Sequence, residues 1–328
     1  MRVNSAWPIS LDDVHAACAR ITPHMPVSPL YTYPLLDEWI GHGIRLSVKH
    51  ENFNPTNSFK VRNGLSFMAA LDPAARAKGV VAATRGNHGL GLAHAGRIHG
   101  VPCTICVPLG NNPDKNAGMR ALGARLVEEG RDYDESVEVA NRIVQESGAT
   151  LAHSTNNHHI LAGAATMSLE ILEQAPDLDA MVIAVGGGSQ AVGALTVARA
   201  LNRDIAVYGV QAAGASASHD SYHAGRMVAK ERADTFADGL ATRSAYELTF
   251  PALHEGLAGF ITVTDSEIAE SLRVLLRTTH SLVEGAGATG LAGAFALREQ
   301  LAGKRVAIVA SGGNIDAATL GRVLSREI

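Results

Sequence analysis

Short apolar runs alternate with longer amphipathic stretches along most of this chain. Leu46-Ser47-Val48-Lys49-His50-Glu51 alternates apolar and polar positions as a half-buried strand does, and Val61 to Leu71 switches to helical spacing. The pattern then predicts a helix to Ala70, a strand Gly79 to Ala83, a helix Gly89 to His99 and a strand Pro102 to Val107. A helix Asn112 to Leu122, a strand Arg125 to Glu128, a helix Tyr133 to Glu146 and a strand Thr150 to Ala152 complete this series. A second series has strands at Ala180 to Val185, Asp204 to Gln211, Gly259 to Val263 and Arg305 to Ala310, with helices at Gln190 to Leu201, Asp265 to Thr278 and Thr289 to Gln300. At the start, Ser10-Leu11-Asp12-Asp13 caps a helix to about Arg20, and Pro23, Pro26 and Pro29 make Thr22 to Tyr33 an extended connector. Strands alternating with helices argue for right-handed βαβ units. The expected class is α/β, with two open, mostly parallel sheets flanked by helices. Residues 65–160 would form a small domain inserted into a larger one made of 1–64 and 161–328.

Composition narrows the function. The length of 328 residues suits about two domains, and 46% hydrophobic residues supplies their cores. Lys+Arg 28 against Asp+Glu 32 leaves a formal charge of -4, which gives no attraction for nucleic acid or an anionic membrane surface. A small-molecule partner fits better. Met1 to Ser10 lacks a basic segment followed by an apolar core, and no uninterrupted apolar run could span a bilayer, so a cytoplasmic protein is expected. The cysteines are Cys18, Cys103 and Cys106. Cys103 and Cys106 have the spacing of a redox or metal pair, yet they lie inside a strand-like run with no second ligand pair nearby, and structural cysteines are expected.

In open parallel sheets ligands sit at the carboxyl ends of strands, and four strand-to-helix junctions here carry candidate chemistry. The first is Asn54-Pro55-Thr56-Asn57-Ser58-Phe59-Lys60, which puts Lys60 at a helix start, where the dipole lowers the pKa of an ammonium. A lone lysine is more often a solvated charge. The second is Thr84-Arg85-Gly86-Asn87-His88-Gly89, whose free N–H groups would cradle an anion beside the Asn87 amide. The third, Gly186-Gly187-Gly188-Ser189, lets backbone approach a phosphate closely, although a glycine run is often a plain turn. The fourth, Ser311-Gly312-Gly313-Asn314, presents the Ser311 hydroxyl.

Asn57-Ser58-Phe59-Lys60-Val61-Arg62, Gly86-Asn87-His88-Gly89, the glycine loop from Gly186, Asp238-Gly239-Leu240-Ala241, Val283-Glu284-Gly285-Ala286 and Ser311-Gly312-Gly313-Asn314 together resemble the pyridoxal-phosphate enzymes of fold type II. Within them the threonine/serine dehydratase and serine racemase group is most similar, in the same motif order over nearly the whole chain. The resemblance implies a tryptophan-synthase-β-like fold and pyridoxal 5'-phosphate as cofactor; a homodimer is expected, although the sequence does not fix the oligomeric state. It makes Lys60 the catalytic residue, holding the cofactor as an imine with Phe59 packed on the ring. Asn87 would bond the ring hydroxyl, Gly186, Gly187, Gly188 and Ser189 the phosphate, with Gly239 nearby, and Ser311 would face the pyridine nitrogen. Thr84, Gly86, Asn87 and His88 would take the substrate carboxylate, with Arg85 beside them. The implied activity is an ammonia-lyase that converts a β-hydroxy-α-amino acid such as threonine, serine or 3-hydroxyaspartate to a 2-oxo acid. A β-replacement transferase of the cysteine-synthase type, an amino-acid racemase and a non-catalytic paralogue are the alternatives, the last having little reason to keep Lys60.

Departures from the family pattern are informative. Arg85 stands where racemase-like members have a serine acid/base, and a guanidinium that stays protonated makes a poor second base. Gln211 stands where several members have a glutamate that helps hold a divalent cation, so no metal is expected there. Asn63 replaces a glycine for no reason visible in the sequence. With the end at Ile328, no appended regulatory domain is expected.

Overall fold

The computed structural model describes residues 7–131, 133–201 and 204–328; Met1 to Ala6, part of the stretch searched for a leader, lie outside them. Among the described residues ten strands are found: β1 Leu30–Thr32, β2 Arg45–His50, β3 Val80–Ala83, β4 Cys103–Val107, β5 Arg125–Glu128, β6 Thr150–Leu151, β7 Ala180–Ala184, β8 Ala206–Ala212, β9 Gly259–Val263 and β10 Arg305–Ala310. They form one sheet in the order β1-β2-β10-β7-β8-β9 and another in the order β5-β4-β3-β6. Every pairing is parallel except β1 with β2. The expected α/β class with two mostly parallel, helix-flanked sheets is what the chain forms.

Strand period two sorts the central strands of the large sheet into two cores. Met181, Ile183, Val207, Ala307 and Val309 face a core shared with Val80, Ala82 and Ile105 of the small sheet. Ala180, Val182, Val210, Val306 and Ile308 face the opposite side. One apolar core therefore joins both sheets.

The structure corrects several elements. β1 lies within the proline-containing connector, pairing its edge to β2. The helix assigned from Gly89 begins at Asn87, which places Asn87 and His88 in its first turn. The helix assigned to Thr289–Gln300 runs Gly285–Ala296, because its opening Gly-Ala-Gly-Ala run packs closely instead of forming a loop. The helix His158–Gln174 has no counterpart in the pattern, since it is buried nearly all round and offers no polar stripe over most of its length.

The helix Lys60–Ala70 packs between Asn87–His99 and His158–Gln174. A Cβ on Gly64 would lie 2.3 Å from the Gly91 carbonyl oxygen, and one on Gly91 would lie 2.4 Å from that of Lys60. Only glycines permit this backbone contact, which sets Gly91, one turn beyond Asn87, against the Lys60 main chain. The same helix is anchored by a buried charge network. Arg62 donates to Glu51 (Nε–Oε2 2.8 Å, Nη2–Oε1 2.9 Å) and to Glu170 (Nη1–Oε1 2.7 Å, Nη2–Oε2 2.8 Å), and Lys49 Nζ lies 2.6 Å from Glu170 Oε2. Asn63 is fully buried with neither amide atom hydrogen-bonded among the described residues, and its presence there has no structural explanation.

Candidate active site

All four junctions meet at one cavity of about 340 Å³. The loop before Lys60 is fixed to the loop after β10 by backbone bonds, Phe59 N–H to Ser311 O (3.0 Å) and Gly313 N–H to Asn57 O (2.8 Å). Lys60, Ser311, Asn87 and the Gly186–Ser189 turn thus line a common wall.

Two lysines face the cavity, and their surroundings differ. Lys60 has no carboxylate partner among the described residues; burial alone pushes its amine from 10.5 down to about 8. Its Nζ lies 4.8 Å from the Phe59 ring centroid. Burial is the cause that the structure supplies. Burial also disfavours charge on Lys115, but Glu284 and Asp238 outweigh it and raise its pKa, with Nζ 2.6 Å from Asp238 Oδ2 and 4.0 Å from Glu284 Oε2. Lys115 is therefore a fixed ammonium, and Lys60 is an available amine.

Two carboxylates share that ammonium, and Asp238 holds it more closely. Glu284, enclosed by burial, is pushed up to about 7 in spite of Lys115 and the Asn87 hydrogen bond. The Asn87 amide is oriented from both ends: Nδ2 donates to Glu284 Oε1 at 2.5 Å, and Oδ1 accepts from Asn314 Nδ2 at 2.8 Å. One Nδ2 hydrogen remains for an oxygen in the cavity.

His88 Nε2 lies 2.9 Å from the Ala152 carbonyl, which only accepts, so Nε2 carries the hydrogen. Burial, with Lys60 adding to it, pushes this ring down to about 3, leaving it neutral with Nδ1 as a bare acceptor. The imidazole cannot donate to a carboxylate. Any such contribution from His88 comes from its main-chain N–H in the first turn of the helix. Thr84 Oγ1 accepts from the Gly86 N–H at 3.0 Å and keeps its own hydrogen to donate. Arg85 is exposed at the cavity wall.

The glycine turn is sterically determined. A Cβ on Gly186 would lie 2.7 Å from the Gly239 oxygen and one on Gly187 2.2 Å from Thr155 Oγ1, while Gly188 has φ +93. Ser189 opens the helix Ser189–Ala200, whose first N–H groups point back to the turn. An anion cradle, a neutral buried hydroxyl at Ser311 and a reactive amine fit a phosphate-bearing aldehyde with a basic ring nitrogen.

Lys115, Tyr133, Ser154, Thr155 and Tyr246 also line the cavity and were not expected there. Lys115 sits in Asn112-Pro113-Asp114-Lys115, which reads as a solvated helix start, and only tertiary packing buries it. The motifs around Asp238 and Glu284 were a signal, without a role. Cys103 and Cys106, three apart on β4, face opposite sides of the small sheet, so they form no pair. Gln211 is buried, and its Oε1 accepts from the His219 N–H at 2.9 Å.

Residues 21–312 match the family model described as pyridoxal-phosphate dependent enzyme. The chain belongs to this family. It is 36% identical to an L-threonine ammonia-lyase of Thermotoga maritima, over 97% of this chain and 79% of that protein. An L-threo-3-hydroxyaspartate ammonia-lyase of a Pseudomonas species is 34% identical, over 94% and 96%. The structure of maize serine racemase superimposes with a TM-score of 0.92 at 29% identity, covering 98% of each chain. The fold is that of the type II pyridoxal-phosphate enzymes, and pyridoxal 5'-phosphate is the cofactor. Among the described residues, no helix is long and apolar enough to cross a membrane.

Proposed function

We propose that this pyridoxal-phosphate-dependent ammonia-lyase removes water and then ammonia from a β-hydroxy-α-amino acid, leaving a 2-oxo acid. The contrast between the two cavity lysines carries the assignment of roles. When bound, the cofactor supplies an electron sink for the substrate α-carbon. Lys60 Nζ holds the cofactor between turnovers and takes the α-proton during one, which an amine near 8 does more readily than an ordinary lysine at 10.5. Asn87 donates its free Nδ2 hydrogen to the ring hydroxyl, and Gly186 to Ser189 receive the phosphate, with Gly239 behind them. Ser311 offers the ring nitrogen a neutral hydroxyl, so the sink is shallow and favours elimination over transamination. Thr84 and the N–H groups at Asn87 and His88 hold the substrate carboxylate, while the Gly86 N–H orients the Thr84 hydroxyl.

The test is a panel of serine, threonine and 3-hydroxyaspartate assayed for 2-oxo acid. Release from at least one is expected. A substituted amino acid formed on adding a thiol, or accumulation of the opposite enantiomer without 2-oxo acid, would support β-replacement or racemization instead.

Chelator treatment is expected to leave activity and melting temperature nearly unchanged, because Gln211 brings an amide that is already engaged by His219 in place of a carboxylate. A marked loss restored by magnesium or calcium would contradict this. We further propose a cytoplasmic homodimer working in amino-acid catabolism. The three cysteines are free thiols, as suits a reducing compartment. Exposed Tyr31 and Phe53, flanking His50, offer an apolar patch for a second copy.

A further inference from the structure

Other basic groups on the cavity wall are already engaged. Lys115 is held by Asp238 and Glu284, Arg232 Nε lies 2.9 Å from Asp234 Oδ2, and Arg243 donates to the Glu231 main-chain oxygen at 3.5 Å. Lys60 is reserved for the cofactor and the α-proton. Arg85 alone among the arginines lining this cavity has no carboxylate or hydrogen-bond partner among the described residues. It leaves the loop whose Thr84 hydroxyl and Asn87–His88 main chain are assigned to the α-carboxylate. Its backbone position is fixed from both sides, by the Thr84–Gly86 bond and by the Lys115 stem, which lies so close over Gly86 that a Cβ there would be 2.6 Å from Lys115 Cδ. A group on the substrate β-carbon is three bonds from the carbon of that carboxylate, within the span of an arginine side chain.

We propose that Arg85 is a specificity-determining residue that binds a second carboxylate on the substrate β-carbon, making a 3-hydroxy amino diacid of the 3-hydroxyaspartate type the preferred substrate. This inference rests on the lyase reading above. A guanidinium presents two parallel N–H donors to a carboxylate, a geometry that neither the methyl of threonine nor the hydrogen of serine can use. At a partly exposed site such a pair favours the diacid by roughly tenfold to a hundredfold.

Arg85→Gln separates the possibilities. It is expected to lower kcat/KM for 3-hydroxyaspartate by about tenfold to a hundredfold. The change for threonine should stay within roughly threefold, below the tenfold that 1.4 kcal/mol represents. Arg85→Lys, which keeps the charge and loses the fork, should recover part of the difference. A second readout needs no turnover: succinate should raise the melting temperature of the wild-type holoenzyme at concentrations where butyrate does not, and Arg85→Gln should erase that difference. Equal losses for diacid and monoacid, or no preference for succinate, would overturn the assignment of Arg85 and leave the lyase reading standing. If no hydroxyamino acid yields 2-oxo acid, the lyase reading fails instead, and the succinate comparison still decides whether Arg85 binds a second carboxylate.

Discussion

Lys60→Ala is expected to abolish the visible absorbance of lysine-bound pyridoxal phosphate and to lower kcat by about a thousandfold or more, because the covalent anchor and the base for the α-proton are one nitrogen. The substitution should not unfold the protein. In the cofactor-free chain the Lys60 amine is enclosed without a partner, and its pKa of about 8 lies below the 10.5 of the unfolded chain. Between those values the unfolded state binds a proton that the folded state does not, so stability rises with pH across that window. Below about 8 the cost of burying the amine is fully present, at roughly 3 kcal/mol. Lys60→Met, which keeps the length and removes the charge, should therefore raise the melting temperature of the cofactor-free protein at neutral pH. A fall in that melting temperature would show that Lys60 has a stabilising partner.

The second large effect is expected at Arg62, two residues along the same helix. Arg62→Met leaves Glu51 fully buried without its guanidinium and leaves Glu170 with Lys49 and a long hydrogen bond from the Ser28 hydroxyl. Burial would raise the Glu51 carboxyl, yet Arg62 and the Ser28 hydroxyl hold it below the usual carboxylate range. A carboxylate with a depressed pKa stabilises the fold above its unfolded value near 4.5 and stops doing so as the pH falls through its folded value. Removing one partner of a buried pair costs about 3–5 kcal/mol. Denaturant unfolding at pH 7 should show a loss of that size, with a smaller difference between variant and wild type in acid. A loss below about 1 kcal/mol, the range of exposed pairs, would mean that the network contributes little.

Much of the site was legible because its chemistry depends on local backbone form. The Gly186 to Gly188 turn, the lysine opening a helix and the serine after β10 are each marked by residues that few other conformations require. Lys115 and Tyr133 were not legible for the opposite reason: nothing local distinguishes a lysine in a polar helix start from one that packs over Gly86. The lowered pKa of Lys60 was anticipated in direction, and the enclosure by the cavity that lowers it comes only with the assembled fold. The helix His158–Gln174 escaped notice because its alanines and glycines lack the polar stripe by which amphipathic helices are recognised, and its buried Thr166 and largely buried Glu170 find their partners far away in sequence.

The most direct test is chemical. Reduction of the holoenzyme with borohydride fixes the cofactor to whichever amine holds it, and peptide mapping by mass then identifies the residue. The pyridoxyl group is expected on Lys60, the enclosed amine pushed down to about 8. Its recovery on Lys115, the other lysine of the cavity wall, would contradict the assignment of the two amines on which the account rests.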